Sequence, residues 1–245
     1  MDETIYYKIY LTVAMFFAIG GAAVYWFFPQ DSNLKQLKIK YWVYLLIVIV
    51  HLLLLQKYIY GFWILSILIL FLGFYEISKL FTPLIKIGDL KTGIISQIIY
   101  LLTGWCYFHF ILMDSITILY TYLLVITFDG SSQLTGIITG KNKMFAQISP
   151  GKTWEGLAGG IFGSLTIVLL FRKEFDFEFW NMILKWIIII AFAFAGDTLA
   201  SLLKRRVGIK DFSLLIPGHG GVIDRFDSLM IAGTAVYIGN IIFEL

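Results

Sequence analysis

This 245-residue chain predicts an all-α, polytopic membrane protein, and three observations carry that prediction. Hydrophobic residues make up 59% of it and charged residues only 14%, with a mean hydropathy of +0.84. A soluble domain of that composition would expose too much apolar surface to stay dispersed. Apolar runs recur that are long enough to cross roughly 30 Å of hydrocarbon at about 1.5 Å per residue. Lysine and arginine gather in alternate connections between those runs, as the positive-inside rule expects.

About eight spans are read, near 9–28, 41–56, 58–75, 92–113, 115–128, 157–171, 179–196 and 229–243. Gln56-Lys57 alone separates the second from the third, which requires a tight hairpin. Asp114 leaves little room for a turn before the fifth. The start, Met1-Asp2-Glu3, is acidic where a cleavable signal would be basic, so the first span is expected to be retained. Connections 29–40, 76–91, 129–156 and 197–228 hold 14 of the 19 basic residues. Those four are therefore expected on the cytoplasmic side, with both termini outside. The net charge of +3 is too small to indicate a nucleic-acid partner. The single cysteine, Cys106, sits in an apolar run and reads as a packing residue. Tyr6, Tyr7, Trp26, Phe27, Phe28, Tyr41 and Trp42 lie near span ends and read as interfacial anchors. Neither repeats nor a linker are evident, so residues 1–245 read as one integral-membrane domain. Its functional site is expected at cytoplasmic helix ends and loops.

Ionisable residues crowd into 197–228, which holds Asp197, Asp211, Asp224, Asp227, Lys204, Arg205, Arg206, Lys210, Arg225 and His219. Such density beside a bilayer marks a functional site by default. If helix continues past the seventh span, Asp197, Ser201, Lys204 and Gly208 fall on one face, with Arg205 close by. Arg206 points off that stripe, towards lipid headgroups. Gly220-Gly221 permits positive φ or close backbone approach to a phosphate. Asp224 and Asp227 open the last span on a common face. For Asp224 a helix cap is the plainer alternative. Gly151-Lys152-Thr153 is not a P-loop, because Ala146 stands where its first glycine belongs. Gly156, Gly160 and Gly159, Gly163 form two overlapping GxxxG pairs and read as helix-packing contacts. His51 and His109 read as packing residues, Asp114 as a turn residue, and Gln97, Thr103 and Thr117 as interhelical hydrogen-bonding groups.

The run from Ser201 to Asp227, Ser-x-x-Lys-Arg-x4-Lys-Asp-x-Ser-x2-Ile-Pro-x-His-Gly-Gly-Val-x-Asp-Arg-Phe-Asp, resembles the signature of phosphatidate cytidylyltransferases (CDP-diacylglycerol synthases). Ile148-Ser-Pro-Gly-Lys-Thr-Trp-Glu-Gly156 resembles a second stretch of that family, in the right order. The likeness covers roughly 125–235, the catalytic portion. Residues 1–113 match poorly, with an echo at Tyr75-Glu76-Ile-Ser-Lys79-Leu80. Asp129-Gly-Ser-Ser-Gln133-Leu-Thr-Gly136 departs from the family at Gln133, where an aromatic is common.

The resemblance implies transfer of a cytidylyl group from CTP to phosphatidate in the bilayer, releasing pyrophosphate. The weighed alternatives are a cytidylyltransferase for another lipid phosphate and a CTP-dependent polyprenol kinase. It also implies Mg²⁺ as cofactor, with Mn²⁺, a second cation and a homodimer left open. By the same likeness Asp197, Asp224 and Asp129 are metal ligands, and Lys210, Asp211, His219 and Asp224 are catalytic. Ser149, Lys152, Thr153, Glu155, Ser201, Lys204, Arg205, Gly220, Gly221, Arg225 and Asp227 are expected to bind substrate. His219 remains open between a phosphate ligand or proton donor and a structural loop residue.

Overall fold

The computed structural model describes residues 3–27, 34–175, 177–216 and 220–243. It is mostly helical, and the order is α1 (Glu3–Phe27), α2 (Leu34–Lys57), α3 (Ile59–Lys79), α4 (Phe81–Lys86), α5 (Leu90–Phe110) and α6 (Ser115–Thr139). Then follow β1 (Lys143–Phe145), β2 (Ser149–Thr153), α7 (Trp154–Leu170), α8 (Phe179–Val207) and α9 (Ile223–Phe243). Five stretches are long and apolar enough to cross a membrane: Glu3–Ala22, Lys38–Lys57, Ile59–Lys86, Phe179–Val207 and Ile223–Phe243.

Two expectations are corrected. The chain is not purely helical, because β1 and β2 form an antiparallel hairpin pairing Lys143 with Thr153 and Phe145 with Ser149. Nor is 129–156 one loop, since α6 runs on to Thr139 and carries the Asp129–Gln133 segment as helix. The crowded start of α6 is resolved by Asp114, whose carboxylate accepts from the Thr117 amide at 2.9 Å and caps the helix. Tyr58 alone breaks the path from α2 to α3, with φ −139° and ψ 63°.

Helix α6 is the centre of the bundle. Every residue from Thr117 to Phe128 is buried, as expected of a helix that is apolar all round. Its later part lies against α7 because the expected glycine stripe allows it. A Cβ added at Gly160 would stand 2.7 Å from the Phe128 ring, and one at Gly163 would stand 2.7 Å from Ser131 Cβ. Small residues on both helices bring the backbones together, as in GxxxG pairs. Gly196 does the same for α8 on α9, where a Cβ would meet the Asp227 carbonyl at 2.8 Å. This crossing sets Asp197 beside Asp227. His51 stacks on Tyr122 at 5.3 Å and His109 on Tyr237 at 5.1 Å, which fits their reading as packing residues.

Candidate active site

The C-terminal part of α8 provides the stripe that its spacing predicts. Ser201 Oγ donates to Asp197 Oδ1 at 3.4 Å, and one turn further Lys204 Nζ meets Asp224 Oδ1 at 2.6 Å. The Lys204 and Asp224 side chains are 11% and 3% exposed, so this pair is largely desolvated. Gly208 ends the helix in the left-handed conformation, φ 76°, the usual glycine C-cap.

Asp224 is held by more than its lysine. Its Oδ2 accepts the Phe212 amide and the Gly221 amide, each at 2.8 Å. The carboxylate thus gathers α8, the 208–222 loop and the start of α9 around one buried charge. Gly220 has φ 84°, which only glycine adopts without strain. Both amides lie outside α9, so the carboxylate clasps the loop and does not cap the helix's own first-turn amides.

The hairpin brings the second sequence segment onto the first. Lys152 Nζ lies 3.2 Å from Asp197 Oδ2, donates to the Thr198 hydroxyl, and sits 4.6 Å from the centre of the Phe194 ring. Arg205 Nε donates to the Ile148 carbonyl at 3.1 Å, and its Nη1 to the Ile209 carbonyl at 2.9 Å. Two segments well separated in sequence therefore make one surface. The Asp197 side chain is 42% exposed, the most open of the acids that form ion pairs here.

Asp129 on α6 and Asp227 on α9 complete the acidic wall. They lie within electrostatic reach of Asp197 and of each other, with Arg225 near both and Lys204 near Asp227. The Ser228 amide donates to Asp227 Oδ1 at 2.7 Å. Among the described residues no three His, Cys, Asp or Glu side chains converge as a ready metal cage. The donors are nevertheless all carboxylate oxygens facing like charge, which is the chemistry that suits a hard divalent cation.

Several expected residues have a different local role. The Thr153 hydroxyl accepts the Gly156 amide at 3.1 Å and caps α7. Glu155 accepts from the Asn142 amide and side chain, tying the hairpin base rather than the acidic wall. Ser149 begins β2 and is half-buried, while Lys210 is exposed and Asp211 half-buried on the loop. Gln133 is exposed, off the α6–α7 contact. Arg206, exposed and off the stripe, pairs its Nε with Asp89 Oδ2 at 2.7 Å and holds that carboxyl below its ordinary range. His219 lies outside the described residues.

Glu76, quoted in the sequence only within a family echo, was given no role there. It is fully buried near the end of α3 and accepts the Val222 and Ile223 amides, both at 2.9 Å, and the Ser213 hydroxyl at 2.5 Å. One acidic residue in an otherwise apolar helix was the available signal.

The sequence profile of the cytidylyltransferase family matches residues 91–243, and the chain belongs to that family. Its particular likeness is to phosphatidate cytidylyltransferases of staphylococci. It is 40% identical over 137 residues to that of Staphylococcus haemolyticus (strain JCSC1435), covering 55% of this chain and 53% of the relative. It is 42% identical over 115 residues to that of Staphylococcus aureus (strain COL), covering 46% and 44%. The chain thus spans about half the length of the curated relatives it matches.

Proposed function

We propose that this chain transfers the cytidylyl group of CTP to phosphatidate, giving CDP-diacylglycerol and pyrophosphate, at the inner face of the bilayer. One observation carries the reading: Lys152 from the hairpin and Asp197 from α8 form an ion pair, so cations and carboxylates of both segments share one surface. Transfer to a phosphate demands that combination. The attacking oxygen belongs to a phosphomonoester whose second pKa is near ~6, so it is largely ionised at neutral pH and needs no strong base. The obstacle is repulsion between that anion and a triphosphate, and then the charge of departing pyrophosphate.

Lys210, exposed and without an ion pair among the described residues, would engage phosphate oxygens as they arrive. Lys204 and Lys152 are each pinned by a carboxylate, which fixes where their charge stands. Arg205 spends two donors on backbone carbonyls and offers the rest of its guanidinium to the same surface. Asp197, Asp224 and Asp129 would hold Mg²⁺, with Asp227 beside them. Bound there, the ion would neutralise charge on the phosphates. The attacking oxygen forms a bond to the α-phosphorus as the bond to the bridging oxygen of pyrophosphate breaks, so no proton need be removed from the acceptor.

An apolar cleft between α7 and α8 supports a lipid acceptor. It holds about 240 Å³ and is lined by residues that include Leu157, Ile161, Trp186, Ile190 and Phe194. Phe194 is also the ring beneath Lys152, so the cleft runs up to a cation suited to a phosphate headgroup. Purified protein in detergent with CTP, phosphatidate and Mg²⁺ should yield a lipid of CDP-diacylglycerol mass, and chelator should abolish it. No lipid product under those conditions would refute the reading.

The eight-span arrangement with cytoplasmic hairpin belongs to the same proposal. Four ion pairs each join segments on the same predicted side. Lys8 with Glu174 lies outside; Lys152 with Asp197, Lys204 with Asp224 and Arg206 with Asp89 lie inside. In a Cys106→Ala background, Gln147→Cys should react with an impermeant thiol reagent only from the cytoplasm, and Lys173→Cys only from outside. Labelling of both from one side would break the arrangement.

A further inference from the structure

We infer that Glu76 is a positioning residue for the proposed reaction, one buried carboxylate that ties residue 213 to the start of α9 at 222–223 and through them sets Asp224. The reaction in that statement rests on the reading above, whereas the pinning rests on geometry alone. Glu76 Oε1 takes the Ser213 hydroxyl at 2.5 Å and the Val222 amide at 2.9 Å, while Oε2 takes the Ile223 amide at 2.9 Å. Asp224 Oδ2 takes the amides of Phe212 and Gly221 at 2.8 Å. The two acids therefore grip adjacent residues of the same two chain segments, 212–213 and 221–223. Between those grips the Ile216 amide donates to the Gly220 carbonyl at 2.8 Å and closes the loop. Immediately before them stand Lys210 and Asp211.

Each carboxylate bonds to both segments, so the two act on the same joint. Gly221 passes so close to Glu76 that a Cβ there would stand 2.6 Å from Oε1, which excludes any larger residue without displacing the acid. No cation pairs with Glu76 among the described residues. Its charge is instead satisfied by donors at the N-terminus of α9, where the helix dipole favours an anion. Glu76 precedes residue 91, where the family match begins, so the match assigns it nothing. Anchoring the loop from α3 fixes it to a helix that provides no other group described at the site.

Two variants separate the parts. Ser213→Ala removes the loop side of the pin, together with the Leu215 amide's bond to Ser213 Oγ, and leaves the α9 amides bonded. Glu76→Gln keeps one acceptor oxygen and turns the other position into a donor. Hydrogen exchange of the detergent-solubilised protein should show Ser213→Ala raising exchange in 209–214, outside the Leu215 amide that bonds Ser213 itself, about tenfold, the ratio that one lost hydrogen bond to a buried carboxylate gives. The first turn of α9 should stay protected and the melting midpoint unchanged. Its kcat should fall while the KM for CTP stays near the wild-type value. The effects of Ser213→Ala and Glu76→Gln on loop exchange should be less than additive when combined, because the two side chains share one bond. Wild-type loop exchange and kcat in Ser213→Ala, or effects that simply add, would overturn the inference. If Glu76→Gln does not fold, Ser213→Ala alone decides. A wild-type protein inactive on phosphatidate would sink the proposed function, while exchange would still judge the pin.

Discussion

Asp224→Asn should lower turnover about a thousandfold and, at the same time, cost roughly 3–5 kcal/mol of stability. Charge alone suggests a purely catalytic loss, since asparagine keeps the shape. The geometry adds a second effect. Oδ1 takes the Lys204 ammonium and Oδ2 takes two amides, whereas asparagine has one oxygen to share between them. Whichever way its amide faces, either Lys204 or the two backbone donors meet an NH₂ group. Lys204 is then a nearly buried charge without a counterion, the costly outcome of removing one partner. Lys204→Met in the same chain should restore much of the melting temperature and none of the activity. A single Asp224→Asn variant with wild-type melting and turnover would remove Asp224 from the site and from the clasp.

Lys152→Ala should reduce turnover about a hundredfold with little loss of stability, because its partners are half-exposed rather than sealed. The lysine joins Asp197, Thr198 and the Phe194 ring, and alanine releases all three. Lys152→Arg keeps the charge but not the reach and should recover only part of the rate. The informative comparison is the KM for lipid against that for CTP. If Lys152 stands at the head of the apolar cleft, the lipid KM should rise more. An unchanged lipid KM would detach the cleft from the acceptor.

Much of this was legible because it is local or periodic. The Asp197–Ser201–Lys204 stripe follows from helix spacing, and Ser201 does bond Asp197. The glycine pairs on α7 face small residues of α6, as their spacing predicted. The hairpin was not legible, since Ser149-Pro150-Gly151-Lys152-Thr153 has neither alternation nor β-branched residues until its end. Glu76 was missed for another reason: its partners lie 137 to 147 residues away in sequence, and a cap supplied from another helix leaves no pattern around the residue it serves. The partner of Arg206 was hidden in the same way, because Asp89 is 117 residues distant. Residue types foretold the chemistry, but pairings across the bundle needed the fold.

Following the phosphorus atoms of CTP tests the central claim most directly. Purified protein given Mg²⁺, phosphatidate and CTP labelled at the α-phosphorus should place the label in the organic-soluble lipid. CTP labelled at the γ-phosphorus should give labelled pyrophosphate and an unlabelled lipid. That outcome is required if the cations of α8 and the hairpin serve to neutralise a departing pyrophosphate. Label from the γ-position in the lipid, with release of CDP, would identify a kinase and contradict the cytidylyl-transfer account.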